Sequence, residues 1–79
     1  MRKKIKDDEG MIGPKGREYD IDLYITDGES LLFEIKSYAV EEDVERFNDK
    51  AELAKKKLNL KRAKKAIITL EKHLSLIHI

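Results

Sequence analysis

The spacing of apolar residues changes at residue 40, and this change limits the folds open to the chain. From Arg17 to Thr26 apolar side chains occupy every second position, which is the period of a β-strand. The turn signal Asp27-Gly28 follows, and the segment 30–37 alternates again. In the segment 40–58 apolar residues instead recur at intervals of three and four, as in an amphipathic helix. We therefore predict a hairpin followed by a helix that packs against it.

The flanking segments extend this order to strand, strand, strand, helix, strand. Residues 2–6 predict a short edge strand, and the apolar run 66–70 predicts a buried parallel strand. Residues 7–16 are rich in glycine and contain the only proline, so they predict a loop around a short strand segment at Met11-Ile12. The last strand–helix–strand unit should form a right-handed crossover. We expect an α/β fold with a mixed sheet and one domain over residues 1–73.

The composition fits a small charged domain with an apolar core. Of the 79 residues 42% are charged and 41% hydrophobic, and none is cysteine. The lack of cysteine excludes disulfides and thiolate metal sites. No apolar run approaches the roughly 18 residues of a membrane span, and the start has no signal-peptide pattern. We expect a soluble, cytoplasmic protein. The tail 74–79 resembles translated sequencing-adapter read-through and could be non-native, although it could still pack as a short helix or strand. We assign no role to His73 or His78.

The pairing register of the hairpin decides which side chains share a face. A two-residue loop at Asp27-Gly28 would mix charged and apolar residues on both faces. A longer loop, with paired residue numbers that sum to 56, would place Ile21 opposite Ile35 and Leu23 opposite Phe33. One face would then be uniformly apolar. We therefore predict the even sum, reached through a three-residue loop, a five-residue loop or a bulge.

The same register predicts the charged face. It places Asp22 opposite Glu34 and Asp20 opposite Lys36. Two carboxylates directly across a ladder repel each other. A divalent cation between them would offset the repulsion, because Mg²⁺ is typically held by one or two carboxylates together with waters and phosphate oxygens. The alternative is a solvated outer face of a hairpin, on which acidic residues are common.

An Asp on one strand, a Glu-x-Lys about a dozen residues later on the next, and then a helix and a strand resemble the PD-(D/E)xK nuclease superfamily. The matching residues are Asp22, Glu34 and Lys36, and the resemblance covers about residues 2–71. It implies a restriction-endonuclease-like βββαβ core, which is the αβββαβ arrangement without its first helix. The segments GPKGREYDIDL, LLFEIKS and DVERF are most similar to prokaryotic, coiled-coil-associated domains of this superfamily. The chain is therefore expected to be a fragment, truncated before the first strand.

The resemblance implies Mg²⁺- or Mn²⁺-dependent hydrolysis of nucleic-acid phosphodiester bonds, with DNA as the expected substrate. Asp22 and Glu34 would be metal ligands together with the backbone carbonyl of Ile35. Lys36 would position the attacking water or balance the developing charge. Two accessory candidates lie nearby: Asp20, which is the rival of Asp22, and Ser37.

A basic cluster without intervening acids follows the helix. Its members are Lys55, Lys56, Lys57, Lys61, Arg62, Lys64 and Lys65. These side chains could bind nucleic-acid phosphates, or they could form a solvated helix end that complements the helix dipole.

Other interpretations remain open beside an active nuclease. One is an inactive nuclease-like fold that binds nucleic acid or a partner protein, and another is a plain structural domain. The apolar stripe of helix 40–58 predicts core packing, with a homodimer face as the alternative. A coiled coil outside this segment could also form a dimer.

Overall fold

A computed structural model of the chain describes residues 1–70 and the backbone of residues 75–78. The elements are β1 (Arg2–Asp7), β2 (Arg17–Thr26), β3 (Glu29–Lys36), α1 (Glu41–Lys57), β4 (Ala63–Thr69) and β5 (Ser75–His78). The strands form one sheet in the order β1-β2-β3-β4-β5. β1 pairs antiparallel with β2, and β2 pairs antiparallel with β3. β3 pairs parallel with β4, and α1 connects these two strands along the chain. The predicted mixed α/β fold with a βββαβ core is confirmed.

The core lies between α1 and one face of the sheet, which we call the helix face. Ile21 and Leu23 of β2 and Leu32 of β3 are buried there with Phe47 of α1. On the opposite side, the back face, Tyr24 is 60% exposed. In the described residues, then, one helix covers one side of the sheet. Side chains alternate between faces along each strand, so the position of a residue in its strand decides whether it reaches α1.

The helix forms where its apolar spacing predicts it. Val40 is the N-cap residue, and its backbone N–H donates to the Asp43 carboxylate at 3.1 Å. Acidic residues in the first turn and lysines in the last complement the helix dipole. Phe47 and Ala51 of the predicted stripe are buried, whereas Val40 is 52% exposed. Leu53, which lies off the predicted stripe, is buried as well. The stripe packs against the sheet, which confirms its role in the core.

The β2–β3 hairpin adopts the register that apolar matching disfavours. Leu23 pairs with Leu32, so paired residue numbers sum to 55, and the predicted sum of 56 is wrong. The loop consists of Asp27 and Gly28 alone, with φ values of 46° and 78°. Positive φ at both loop residues is typical of tight turns whose twist matches that of the strands. The prediction failed because the run 31–33, Leu-Leu-Phe, offers an apolar side chain to either face.

The carboxyl-terminal segment adds a strand, which is one of the two short elements that the sequence left open for the tail. β5 pairs antiparallel with β4, so backbone within the tail 74–79 extends the sheet. His73 lies outside the described residues, and the domain boundary at residue 73 stays a prediction. None of the helices in the described segments is long and apolar enough to cross a membrane.

Candidate functional site

The two faces of the sheet separate the predicted catalytic residues. Asp22 pairs with Phe33 and therefore shares its face, and Glu34, the next residue along β3, points to the opposite face. Glu34 and Lys36 lie on the helix face, whereas Asp22 and Asp20 lie on the back face. The predicted pairs Asp22–Glu34 and Asp20–Lys36 are therefore wrong. The cause is the register, because a shift of one residue turns every side chain of a strand to the other face relative to its partner.

The two aspartates of β2 face basic residues of β1 instead. Arg2 pairs with Asp22 and Lys4 with Asp20 in the strand register. The Arg2 Nε atom lies 3.7 Å from Asp22 Oδ1. Opposite charges directly across an antiparallel ladder stabilise the pairing. The sequence signal was the basic alternation of the first strand, which matches the acidic alternation of β2 once the two are paired.

A pocket of about 650 Å³ opens on the helix face, beside the carboxyl-terminal half of β3. Its size falls within the range of small-ligand sites. Its cationic lining residues are Arg17, Lys36, Arg46 and Lys50. Its acidic lining residues are Glu34, Asp43 and Asp49. We call it the helix-face pocket. Four cations against three carboxylates leave it with a net positive charge, which suits an anionic ligand.

Glu34 and Lys36 of β3 both form ion pairs with α1. The Lys50 Nζ donates to Glu34 Oε1 at 2.9 Å. The Lys36 Nζ lies 3.5 Å from Asp43 Oδ1. The backbone hydrogen bond from Val40, with the charge of Lys36 nearby, lowers the pKa of the Asp43 carboxyl. The Glu-x-Lys pair is thus matched by two opposite charges on the helix, and the sequence did not predict either contact.

A buried carboxylate shapes the loop wall of the pocket. Asp7 is fully buried and accepts the backbone N–H groups of Met11 at 2.8 Å, Ile12 at 2.9 Å and Gly13 at 3.2 Å. The hydrogen bond from Ile12 is the largest of the effects that lower the pKa of Asp7. The predicted strand at Met11-Ile12 is wrong, because these N–H groups turn to Asp7. A Cβ at Gly13 would collide with the Tyr19 hydroxyl, so any larger residue there requires the Tyr19 side chain to move.

The accessory candidate Ser37 lies next to the helix-face pocket rather than within it. It lines a shallower neighbouring depression together with Lys36, Tyr38 and Val40. Lys36 borders both cavities. A role for Ser37 therefore stays a prediction.

The predicted metal ligands do not converge in this arrangement. Glu34 is held by Lys50, and Asp22 points away from it on the other face of the sheet. Across residues 1–70, no three His, Cys, Asp or Glu side chains cluster in a way that could hold a metal ion. Mg²⁺ held by two carboxylates needs both on one side of the sheet. The residues described here therefore do not fit the Mg²⁺ or Mn²⁺ site that the resemblance implies, and a contribution from the Ile35 carbonyl stays a prediction.

The basic cluster lies toward the other end of the sheet from the helix-face pocket. β4 begins at Ala63, which pairs with Ser30, and Glu34 lies four residues further along β3, about 13 Å away at strand spacing. Several cluster members already pair with acids at N–O distances of 2.7–3.9 Å: Lys55 and Lys65 with Glu52, Lys56 with Glu9, and Lys57 with Asp8. These contacts reduce the charge that the cluster offers to a nucleic acid. Its role in binding stays a prediction.

A protein-family model of the PD-(D/E)XK nuclease superfamily matches residues 17–71. The match includes β2, β3, α1 and β4, and with them the Glu34-x-Lys36 motif. No curated protein and no solved structure matches the chain. The closer likeness to coiled-coil-associated domains stays a prediction. Because the matched segment covers well over half of the chain and has the strand and helix order of the superfamily core, the chain belongs to the PD-(D/E)XK nuclease superfamily.

Proposed function

We propose that this domain binds a nucleic-acid phosphodiester, most readily that of DNA, at the helix-face pocket. One observation carries the proposal: Glu34 and Lys36 line a pocket of net positive charge in a chain of a nuclease superfamily. Lys36 and Arg46 would contact phosphate oxygens. Arginine suits this role because its planar guanidinium can donate two parallel hydrogen bonds to one phosphate.

Arg17 is the third cation that we assign to phosphate binding. Its guanidinium lies 5.5 Å from the centre of the Tyr19 ring, within the range of a cation–π contact. This contact with the ring would restrain the guanidinium among the residues that line the pocket, which would reduce the side-chain entropy lost on binding. Contacts of this kind recognise the backbone rather than the bases, so the affinity should be independent of sequence and should fall with salt.

Hydrolysis of the bound phosphodiester is the second candidate function. It is favoured by the position of Glu34 and Lys36, which lie two residues apart on one face of one strand. The geometry supports binding more directly, because Asp22 lies on the other face of the sheet and the ammonium group of Lys50 is paired with the Glu34 carboxylate. A metal-dependent reaction at Glu34 would need a second carboxylate beside it.

The proposal is tested by fluorescence anisotropy with labelled 20-nucleotide single-stranded DNA, duplex DNA and RNA. We expect Arg46→Ala to weaken binding about 5- to 10-fold, the loss of one charged contact of roughly 1–1.4 kcal/mol. The matched variant Lys64→Ala removes a charge from the basic cluster and should change the affinity less than 2-fold. If Lys64→Ala abolishes binding and Arg46→Ala leaves it unchanged, the nucleic acid binds at the basic cluster and not at the pocket.

A plasmid-nicking assay with Mg²⁺ or Mn²⁺ separates the two candidate functions. Binding without nicking is the result expected from this geometry. Nicking that is lost in both Glu34→Gln and Lys36→Met would instead establish hydrolysis at the Glu-x-Lys pair. Asp22→Asn then shows whether the carboxylate on the back face takes part.

A further inference from the structure

Lys50 places an ammonium group at the carboxylate that the superfamily motif offers to a cation. Its Nζ lies 2.9 Å from Glu34 Oε1, and the two side chains are only 18% and 26% exposed. A charged hydrogen bond that is shielded from water is stronger than one at the surface. A second cation that approaches Glu34 must therefore displace Lys50 or bind beside it.

The contact belongs to a matched arrangement of four charges. Glu34 and Lys36 are two residues apart and share a face of β3, while Asp43 and Lys50 are separated by about two turns of α1 and share a face of the helix. Each residue of the strand meets the opposite charge on the helix: Glu34 with Lys50, and Lys36 with Asp43. The helix therefore places an opposite charge beside each member of the motif.

We propose that Lys50 is a built-in counter-ion of Glu34 that excludes divalent cations from the helix-face pocket. The ammonium group of Lys50 and a metal ion compete for the same carboxylate oxygens of Glu34. A divalent cation that binds beside Lys50 is also repelled by its positive charge. With Lys50 in place the pocket keeps its positive charge and takes a phosphate. Without the charge of Lys50, Glu34 becomes open to a divalent cation. The inference concerns the pocket of the proposed function, but its test contains no nucleic acid, so either proposal can fail alone.

The test is a titration of the full chain with Mn²⁺, with free Mn²⁺ measured by electron paramagnetic resonance. Lys50→Met removes the charge and keeps the apolar stem, and we expect it to bind Mn²⁺ about tenfold more tightly than the wild type. The matched control Lys55→Met removes a charge from the same helix at the pair with Glu52 and should behave as the wild type. The double variant Glu34→Gln/Lys50→Met should lose the gain. Lys50→Arg keeps the ion pair and should bind Mn²⁺ no more tightly than the wild type.

Two results overturn the proposal. One is equal Mn²⁺ affinity in the wild type and Lys50→Met, with both shown to be folded by circular dichroism. The other is tight Mn²⁺ binding in the wild type that Glu34→Gln abolishes. If Lys50→Met does not fold, Lys50→Ala provides the same comparison.

Discussion

Three carboxylates illustrate how single residues are fixed by their partners. Asp7 is fully buried and meets three backbone N–H groups. Glu34 is partly buried and meets the ammonium of Lys50. Asp22 lies on the back face near Arg2. A carboxylate can be buried only when hydrogen bonds or an opposite charge replace its water, so each of these positions depends on the partner that the fold supplies.

The loop wall of the pocket should depend on Asp7. Asp7→Ala leaves three backbone N–H groups without their acceptor, and we expect the melting temperature to fall by roughly 5–10 °C. Asp7→Asn keeps one acceptor oxygen and should lose less. Asp8→Ala removes a surface partner of Lys57 and is the matched control, with a smaller change. Thermal melts followed by circular dichroism measure all three, and equal shifts for Asp7→Ala and Asp8→Ala would contradict the role of Asp7.

At the scale of elements, the hairpin loop sets the composition of both faces. Asp27 and Gly28 close the hairpin in two residues, which places Leu32 under α1 and leaves Ile35 on the back face, 54% exposed. The same register moves Glu34 to the helix. The turn therefore decides which charges α1 can meet, although it lies away from the pocket.

The two-residue turn predicts a specific pattern of stability at Gly28. Its φ of 78° favours glycine, and no atom outside its chain neighbours lies within 4 Å of a Cβ built there. Gly28→Ala should therefore cost about 1 kcal/mol through backbone strain alone. Gly28→Asn should cost less, because asparagine tolerates this conformation. Urea unfolding of both variants measures the difference, and equal stability of the two would argue against the turn.

At the scale of the whole molecule, charge is sorted by position. The back face pairs acids of β2 with bases of β1, the helix-face pocket has a small excess of positive charge, and the basic cluster lies toward the other end of the sheet. Several carboxylates in these regions have a lowered pKa: Asp7, Asp8, Asp43 and Glu52. The ionised form of each is therefore favoured by the fold.

This sorting predicts that the fold is weakened by acid. A carboxylate whose pKa is lower in the folded than in the unfolded chain stabilises the fold above its unfolded pKa, and this contribution is lost as the pH falls through the folded value. For Asp7 the loss should begin near the ordinary value of 3.8 and continue below it. The urea concentration at the midpoint of unfolding should be highest at pH 7, lower at pH 4 and lowest at pH 3. Asp7→Asn should show a shallower decline between pH 4 and 3, and an unchanged slope would contradict the assignment.

The sequence by itself determined β1 to β4, α1 and their order. Apolar period two predicted β2 and β3, the helical period predicted α1, and the Glu34-x-Lys36 motif indicated the superfamily. These features depend on neighbours along the chain. The tertiary structure alone decided the register, the partner of β1 and the contact of Lys50 with Glu34, because these depend on elements that meet only after folding. The run 31–33 offers an apolar side chain to either face, so the sequence pattern alone could not select the register. The two-residue turn and the packing of α1 decide the face on which Glu34 lies.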